Sequence, residues 1–331
     1  MPVLRWLAGR LAAAALVAWV VATVVFFALR GAGGDPLEAI LGGPGSQAGP
    51  EAVAAAREDY GLDQPIVIQY LVQLWRVATF QLGDSYSRRQ PVAELIGDQL
   101  PGTLLLAVLA LILGWALALG GATLATRAGG PVGRVATTLM RGTEIVATVI
   151  PHFWLGAVLI VIFSASLGWL PATSIGSAPT ALILPTVTLA VPIAGFLGQV
   201  MRDGLEEAHT APFATTARSR GASEPAVLWR HSLRHAALPA ITLSGWAFGS
   251  LLSGAVVVES LFGRPGLGRL LLEATNSRDM PVVIGAVLVV ALTYVVVMTL
   301  ADLAERILDP RTRTNLGTRA QTPPTEQAVG G

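Results

Sequence analysis

Six apolar runs, separated by polar segments, divide the chain. They cover residues 11–29, 103–126, 145–167, 181–200, 241–258 and 282–303. At about 1.5 Å per residue, each run is long enough to carry a helix across most or all of the hydrocarbon core of a bilayer. The pattern predicts an all-α membrane protein with six transmembrane helices. An even number of spans places both termini on the same side of the membrane.

Composition supports this class. The 331 residues are 53% hydrophobic and only 13% charged, whereas a soluble domain carries about 25% charged residues. This composition indicates that membrane lipid surrounds the protein. The net charge of +1 gives no reason to expect a nucleic-acid partner. The chain has no cysteine, which excludes disulfides, thiolate metal sites and cysteine nucleophiles.

Arginine is concentrated in the segments that follow the second and fourth apolar runs. These arginines are Arg127, Arg134, Arg141, Arg202, Arg218, Arg220, Arg230 and Arg234. The segment 168–180, after the third run, carries no charge. Because basic loops stay inside, the arginine-rich segments and both termini are expected to be cytoplasmic.

The same pattern predicts four regions. Residues 1–30 form the first span, 31–100 an extracytoplasmic insertion, 101–310 a five-span core and 311–331 a disordered cytoplasmic tail. Within the insertion, turn signals and apolar periodicity predict helices at 51–60 and 66–80, and a further helix that begins near Val92.

The polar segment 210–239 predicts two short helices that meet at a bend. Thr210 and Pro212 are a plausible cap and first-turn proline for a helix at about 212–221. Gly221 suits the left-handed position that ends a helix, and Ser223 with Glu224 predicts a capped new start. This shape is typical of a docking element. The alternative, an ordinary basic loop that obeys the positive-inside rule, stays open.

Other residues are candidates for the translocation pathway or for helix packing. Gly245 and Gly249 are four apart with Ser253 on the same helix, a spacing that lets helix backbones approach closely in lipid. Pro192 predicts a kink in the fourth span. His152 is an ionisable group inside the third span, and either a functional role or a neutral hydrogen-bonded imidazole fits it.

Motifs of catalysis and of ATP hydrolysis are missing from the sequence. A Walker A loop, a dinucleotide fingerprint, HExxH and GxSxG all fail to match. His231 and His235 have metal-ligand spacing, but no third ligand stands nearby. The chain is therefore expected to be no enzyme by itself and to bind no metal or cofactor.

Several motifs, in order along the chain, carry a resemblance to a known family. The bend segment 213–239 contains a Thr-Ala-Arg-x-x-Gly core, from Thr216 to Gly221, before an Arg-His pair, Arg230 and His231. The other motifs are GDP at 34–36, YGLDQP at 60–65, LGDSYSRRQPV at 82–92, ESLFGRPGLGRLLLEA at 259–274, RDMPVV at 278–283 and DPR at 309–311. Together they resemble the permease subunits of the bacterial ATP-binding cassette (ABC) importers for peptides, nickel and glutathione.

The resemblance implies a type I ABC importer permease fold in the bacterial inner membrane. The implied partners are a second homologous permease, one or two ATPase subunits that hold ATP and Mg²⁺, and an extracytoplasmic substrate-binding protein. The substrate would be di- or oligopeptides. The alternatives are nickel or glutathione in the same family, or a stand-alone secondary transporter or channel.

The resemblance also implies roles for particular residues. The residues implied to contact the ATPase are Thr215, Thr216, Ala217, Arg218, Arg220, Gly221, Ser223 and Glu224. Contact with the external receptor falls on Asp35, Asp84, Tyr86, Glu259, Arg264 and Asp279.

Overall fold

The computed structural model describes residues 2–31, 37–41, 49–127, 130–176 and 178–308. In these ranges the chain forms thirteen α-helices and no strand. They are α1 Pro2–Gly31, α2 Leu37–Ile40, α3 Pro50–Asp59, α4 Ile66–Ala78, α5 Val92–Arg127, α6 Gly130–Val149, α7 His152–Leu159, α8 Ile183–Thr210, α9 Pro212–Ser219, α10 Glu224–Val227, α11 Leu233–Leu261, α12 Leu267–Asn276 and α13 Met280–Leu308. Short π-helical turns, Ile160–Ser166 and Leu228–Ser232, extend α7 and join α10 to α11, and a 3₁₀ turn, Pro179–Leu182, opens α8. The predicted all-α class is confirmed.

Within the described ranges, five helical stretches are long and apolar enough to cross a membrane. They contain α1, α5, α8, α11 and α13, and a sixth span exists if one bent helix pair counts as a single crossing. That pair is Thr137–Val149 with His152–Ser166, and its two helices meet at 107°. The expected continuous third span over 145–167 is therefore broken. The break falls at Pro151, which has extended dihedral angles (φ −64°, ψ 134°) and disfavours a helical conformation in the residue before it.

Helix α8 lies at the centre of the bundle. In the apolar window of its span 67% of residues are buried, against 11% for α1. Leu189, Leu197 and Met201 on α8 are fully buried against α5 and α11. Gly114 allows α5 to approach closely, because a Cβ at that position would lie 3.2 Å from the Ile193 side chain.

Helix α1 lies at the edge and packs on α13 and α4. The Arg10 guanidinium pairs with Asp302, so the start of α1 lies beside the end of α13. At the opposite end of α1, the Tyr70 and Thr23 hydroxyls form a 2.8 Å hydrogen bond that joins it to α4. The helices expected in the insertion are found as α3 and α4, and α5 begins at Val92.

Candidate functional site

The bend predicted at 210–239 is present between α8 and α11. Ala211 is extended (φ −64°, ψ 153°) and separates α8 from α9, which begins at Pro212. After α9 the chain reverses at Gly221, whose φ of +85° is strained for any residue with a side chain. Among the described residues, no atom beyond the chain neighbours of Gly221 lies within 4 Å of the position its Cβ would take. Glycine is therefore required here by the backbone and not by crowding. We call residues 209–228 the knob.

Two details of the knob differ from the sequence prediction. Thr210 does not cap α9, because its hydroxyl donates back to the carbonyls of Glu206 and Glu207 and the capping position is Ala211. Ser223 occupies the capping position of α10, but its side chain makes no capping hydrogen bond.

Arg218 closes the knob from within. Its Nε donates to the Glu224 carboxylate at 2.8 Å, and its Nη1 donates to the His209 carbonyl at 3.0 Å. His209 Nε2 lies 3.2 Å from the same carboxylate. The hydrogen bond to Glu224 raises the pKa of the Arg218 guanidinium above its usual value. Arg218 thus holds α9 against α10, and its implied contact with an ATPase subunit stays a prediction.

The outer surface of the knob is polar. Ala214 and Val227 are fully buried at its centre, and Ala217 is half-buried. Apart from Pro212, Gly221 and Pro225, the exposed residues are polar: Thr210, Thr215, Thr216, Ser219, Arg220, Ser223 and Glu224. These side chains and the Gly221 backbone are the surface that a partner can contact.

A buried ion pair fixes the base of the knob. Arg202 on α8 is 7% exposed and donates from Nε to the Glu144 carboxylate of α6 at 3.0 Å. Nearby, Arg141 donates to Glu206 at 2.7 Å. The partners are 58 residues apart in sequence in the first pair and 65 in the second. Spacing along a single helix therefore could not indicate either ion pair. The last turns of α8 are held to α6, and the knob is carried on a supported helix end.

The opposite end of α11 carries a second irregular region. We call residues 259–279 and the turn at 85–87 the platform. Glu259, which the resemblance assigns to the receptor-facing side, is fully buried within the chain. Its carboxyl group accepts hydrogen bonds from Thr103 Oγ1 at 2.5 Å and from the backbone N–H groups of Gly268 and Arg269 at 2.8 and 3.1 Å.

Glu259 is buried because the first turn of α12 needs an acceptor. The first N–H groups of a helix have no partner inside it, and the side chain of Glu259 supplies one. Gly266 leaves the necessary room, since a Cβ there would overlap the Glu259 carboxylate.

Asp279, also assigned to the receptor-facing side, is likewise fully buried. Its Oδ2 accepts from Ser85 Oγ at 2.6 Å, Ser87 Oγ at 2.8 Å and Ser87 N at 3.0 Å. The carboxylate fixes the turn at 85–87 to the start of α13. Both carboxyl groups anchor neighbouring segments of this chain, and their role towards a receptor stays a prediction.

The remaining residues predicted to face a receptor differ in exposure. Asp84 is exposed and its backbone pairs with Pro91. Tyr86 is half-buried, with its ring 5.0 Å from that of Tyr60 in a T-shaped contact. Arg264 is half-buried and donates to Ser174 Oγ at 3.2 Å. Asp35 lies outside the described residues.

The small residues of α11 have separate neighbours. A Cβ at Gly245 or Gly249 would lie 2.6 Å from Met298 or Tyr294, so both glycines let α13 of the same chain pack closely. Ser253 is exposed on a groove of about 440 Å³ between α11 and α13, which Trp246 and Tyr294 also line.

The two candidates on other spans lie inside the bundle. His152 is half-buried at the start of α7, and its Nε2 lies 3.2 Å from the position of a Cβ at Gly254. Pro192 is buried within α8. Pro192 is therefore packed inside the bundle, whereas Ser253 lies on an exposed surface.

Comparison with known proteins agrees with this architecture. The family described as binding-protein-dependent transport system inner membrane component matches residues 120–314, more than half of the 331-residue chain, and its N-terminal family matches residues 3–107. The chain belongs to this family and is a multi-pass membrane component of such a transport system.

The relatives and one solved structure show how far the similarity extends. A protein of Brucella abortus (strain 2308) that carries the name of a peptide transport system permease is 36% identical over 321 residues, covering 92% of this chain and 97% of that protein. The glutathione transport system permease protein GsiC of Salmonella choleraesuis is 34% identical over 298 residues, covering 89% of this chain and 94% of that protein. An inward-facing structure of the MetNI methionine ABC transporter has a TM-score of 0.55 at 18% identity and covers 66% of this chain and 98% of that chain. This last likeness concerns the fold alone.

Proposed function

We propose that the chain is a permease subunit of an ABC importer for di- or oligopeptides. The knob is the observation that carries the proposal. It is a compact bend with a buried centre, an internal Arg218–Glu224 bridge and a polar outer face, and it projects from a helix end that the Arg202–Glu144 pair supports. A basic loop that only obeyed the positive-inside rule would need none of these contacts.

In this proposal the knob docks on an ATPase subunit, which holds ATP and Mg²⁺. One or two such subunits serve the complex, and a second homologous permease forms the other half of the pathway. The arginine-rich ends and both termini are cytoplasmic. The platform then faces outward, where an extracytoplasmic substrate-binding protein delivers the solute.

The substrate assignment rests on relatives. The Brucella protein is named for peptide transport and GsiC for glutathione transport. Glutathione is itself a small peptide, so it is the second candidate, and nickel is less supported by these relatives. The exposed groove at Ser253 is a candidate surface for the pathway or for the second permease.

The decisive test uses the complete complex reconstituted in vesicles. Arg220→Glu changes the exposed face of the knob without touching the Arg218–Glu224 bridge. The matched control is Arg234→Glu, an exposed arginine on α11 outside the knob. We expect Arg220→Glu to reduce substrate-stimulated ATP hydrolysis and dipeptide uptake together, while the control keeps both.

Two results would contradict the proposal. Equal losses in the two variants would mean that the general charge of this face matters and that the knob is not a docking element. Dipeptide uptake without any ATPase subunit would make the chain a stand-alone secondary transporter or channel. Competition with glutathione in the same vesicles distinguishes the two substrate candidates.

A further inference from the structure

A cavity of about 130 Å³ lies next to the platform, between the end of α1, α4 and the start of α13. Arg30 comes from the last turn of α1, Arg76 from the last turn of α4, and Tyr86 from the turn at 85–87. A single water molecule needs only about 10–15 Å³ of such space. The cavity therefore has room for a polar group of several heavy atoms.

The charges around the cavity are unbalanced. Two guanidinium groups line it, and no carboxylate does so among the described residues. Arg30 donates to the Gln69 side chain and lies 4.9 Å from the centre of the Phe26 ring, but its Nε is buried without a hydrogen-bond partner in the described part of the chain. A buried donor without a partner is costly, so a ligand with acceptor oxygens would stabilise this arrangement.

The remaining polar side chains of the lining are uncharged: Tyr60, Gln64, Gln69, Gln73 and Tyr86. Burial raises the pKa of the Tyr86 hydroxyl to about 12, and the positive charges of Arg76 and Arg30 oppose that rise. Tyr86 is therefore a neutral hydroxyl at physiological pH. Two cations and a hydroxyl in one cavity favour an anion that offers several oxygens.

The surface beside the cavity is apolar and lies along a membrane span. On α4 the side chains of Val67, Leu71 and Trp75 are 66%, 56% and 68% exposed. The Tyr70–Thr23 hydrogen bond holds α4 alongside α1, whose own surface is largely uncovered by protein. Lipid that covers α1 is thus continuous with the exposed face of α4, and its headgroups lie near the end of α1, where Arg30 is found.

We propose that this cavity binds the phosphate of a membrane phospholipid, whose acyl chains cover the exposed face of α4. The guanidinium groups of Arg30 and Arg76 donate to the phosphate oxygens, a geometry that arginine suits because its donors form a planar fork. The site is separate from the knob and from the groove at Ser253. It ties the insertion to the bilayer, whichever solute the system carries.

Native mass spectrometry of the purified complete complex tests the site, with phosphatidylglycerol as the titrated probe. The variants are Arg76→Gln, which changes an exposed side chain, and Arg30→Gln with Arg76→Gln. Arg57→Gln, on the exposed surface of α3, removes the same charge from the insertion away from the cavity. We expect the apparent Kd of the tightest lipid to rise about tenfold for each guanidinium removed, and Arg57→Gln to bind like the wild type.

Two further probes identify the source of the phosphate. Diacylglycerol has the same chains without the phosphate and should not occupy the site. Inorganic phosphate at millimolar concentration should not displace the lipid. If inorganic phosphate binds as tightly as the lipid, the site is for a free anion and the lipid assignment is wrong.

Equal lipid binding by the wild type and the double variant would overturn the proposal. The readout is bound lipid in an assembled complex and does not depend on transport. A complex that transports peptides but retains no such lipid would refute this site and leave the proposed function standing. A complex that retains the lipid but does not transport peptides would support this site and contradict the proposed function.

Discussion

The knob and the platform lie at opposite ends of α11 and are stabilised in different ways. The platform is held by two fully buried carboxyl groups, Glu259 and Asp279, which accept hydrogen bonds from backbone N–H groups and hydroxyls. The knob is held by the Arg218–Glu224 pair, whose side chains are 30% and 62% exposed. Exposed pairs are screened by water and salt, whereas the hydrogen bonds of a buried carboxyl group are screened much less.

The difference indicates which region tolerates movement. The platform loses buried hydrogen bonds if it shifts, so it should behave as a fixed part of the bundle. The knob depends on a left-handed glycine, a small buried centre and exchangeable ion pairs, so its outer face can adapt to a partner. Rigidity is concentrated at its base, in the Arg202–Glu144 pair. The following predictions test this contrast, beginning with the largest expected effect.

Glu259→Ala should destabilise the protein most. It leaves the N–H groups of Gly268 and Arg269 without an acceptor inside the bundle. We expect a loss of about 3 kcal/mol or more, which thermal unfolding of the purified protein in detergent would show. The matched control is Glu273→Ala, since that carboxylate pairs with Arg269 and Arg88 on the surface and its side chain is 43% exposed. If the two variants unfold at the same temperature, the buried acceptor does not stabilise the platform.

Asp279→Ala should have a smaller and more local effect. It releases the side chains of Ser85 and Ser87 and should cost about 2 kcal/mol. The measurement is the labelling rate of a cysteine introduced by Gln90→Cys, an exposed position three residues beyond the turn. We expect faster labelling with Asp279→Ala and no change with Asp84→Ala, whose carboxylate is exposed. Unchanged labelling in both would mean that the turn is held by other contacts.

The elements could be predicted from the sequence because their signals are local. Runs of apolar residues gave the spans, and proline and glycine gave the limits of α9 and the reversal at Gly221. The broken third span was missed, although Pro151 was its signal, because the apolar run continues across the proline. Hydrophobicity does not distinguish a straight span from two helices that meet at an angle.

The roles of the charged side chains could not be predicted in the same way. Glu259 and Asp279 stand in polar segments, and their burial depends on Thr103 and Ser85, which are 156 and 194 residues away in sequence. Arg202 and Glu144 show the same dependence on distant partners. Spacing along one helix reports neighbours only within a few residues, so it could not indicate that these four charged side chains are largely buried.

Gly221→Ala tests the knob through its backbone. A methyl group meets no atom of the described part of the chain there, so the expected cost is that of the left-handed conformation, about 1–2 kcal/mol. The same substitution at Gly97, an exposed helical position in α5, should stabilise by up to about 1 kcal/mol. Thermal unfolding of the two variants should therefore shift in opposite directions. A stabilised Gly221→Ala protein would show that the reversal is not left-handed in solution.

Arg218→Ala should change stability least. The salt dependence of its effect shows whether the ion pair with Glu224 or another contact of Arg218 stabilises the knob. Its bridge to Glu224 is exposed, so the loss in unfolding temperature should be small and should disappear near 1 M salt, where the Debye length is only about 3 Å. The deficit of Glu259→Ala should persist in the same salt, because its lost hydrogen bonds are buried. The charge-exchanged protein, Arg218→Glu with Glu224→Arg, should recover the low-salt stability that Arg218→Glu alone loses. If the Arg218→Ala deficit is unaffected by salt, the His209 carbonyl contact and not the ion pair closes the knob, and the two ends of α11 are stabilised by the same kind of interaction.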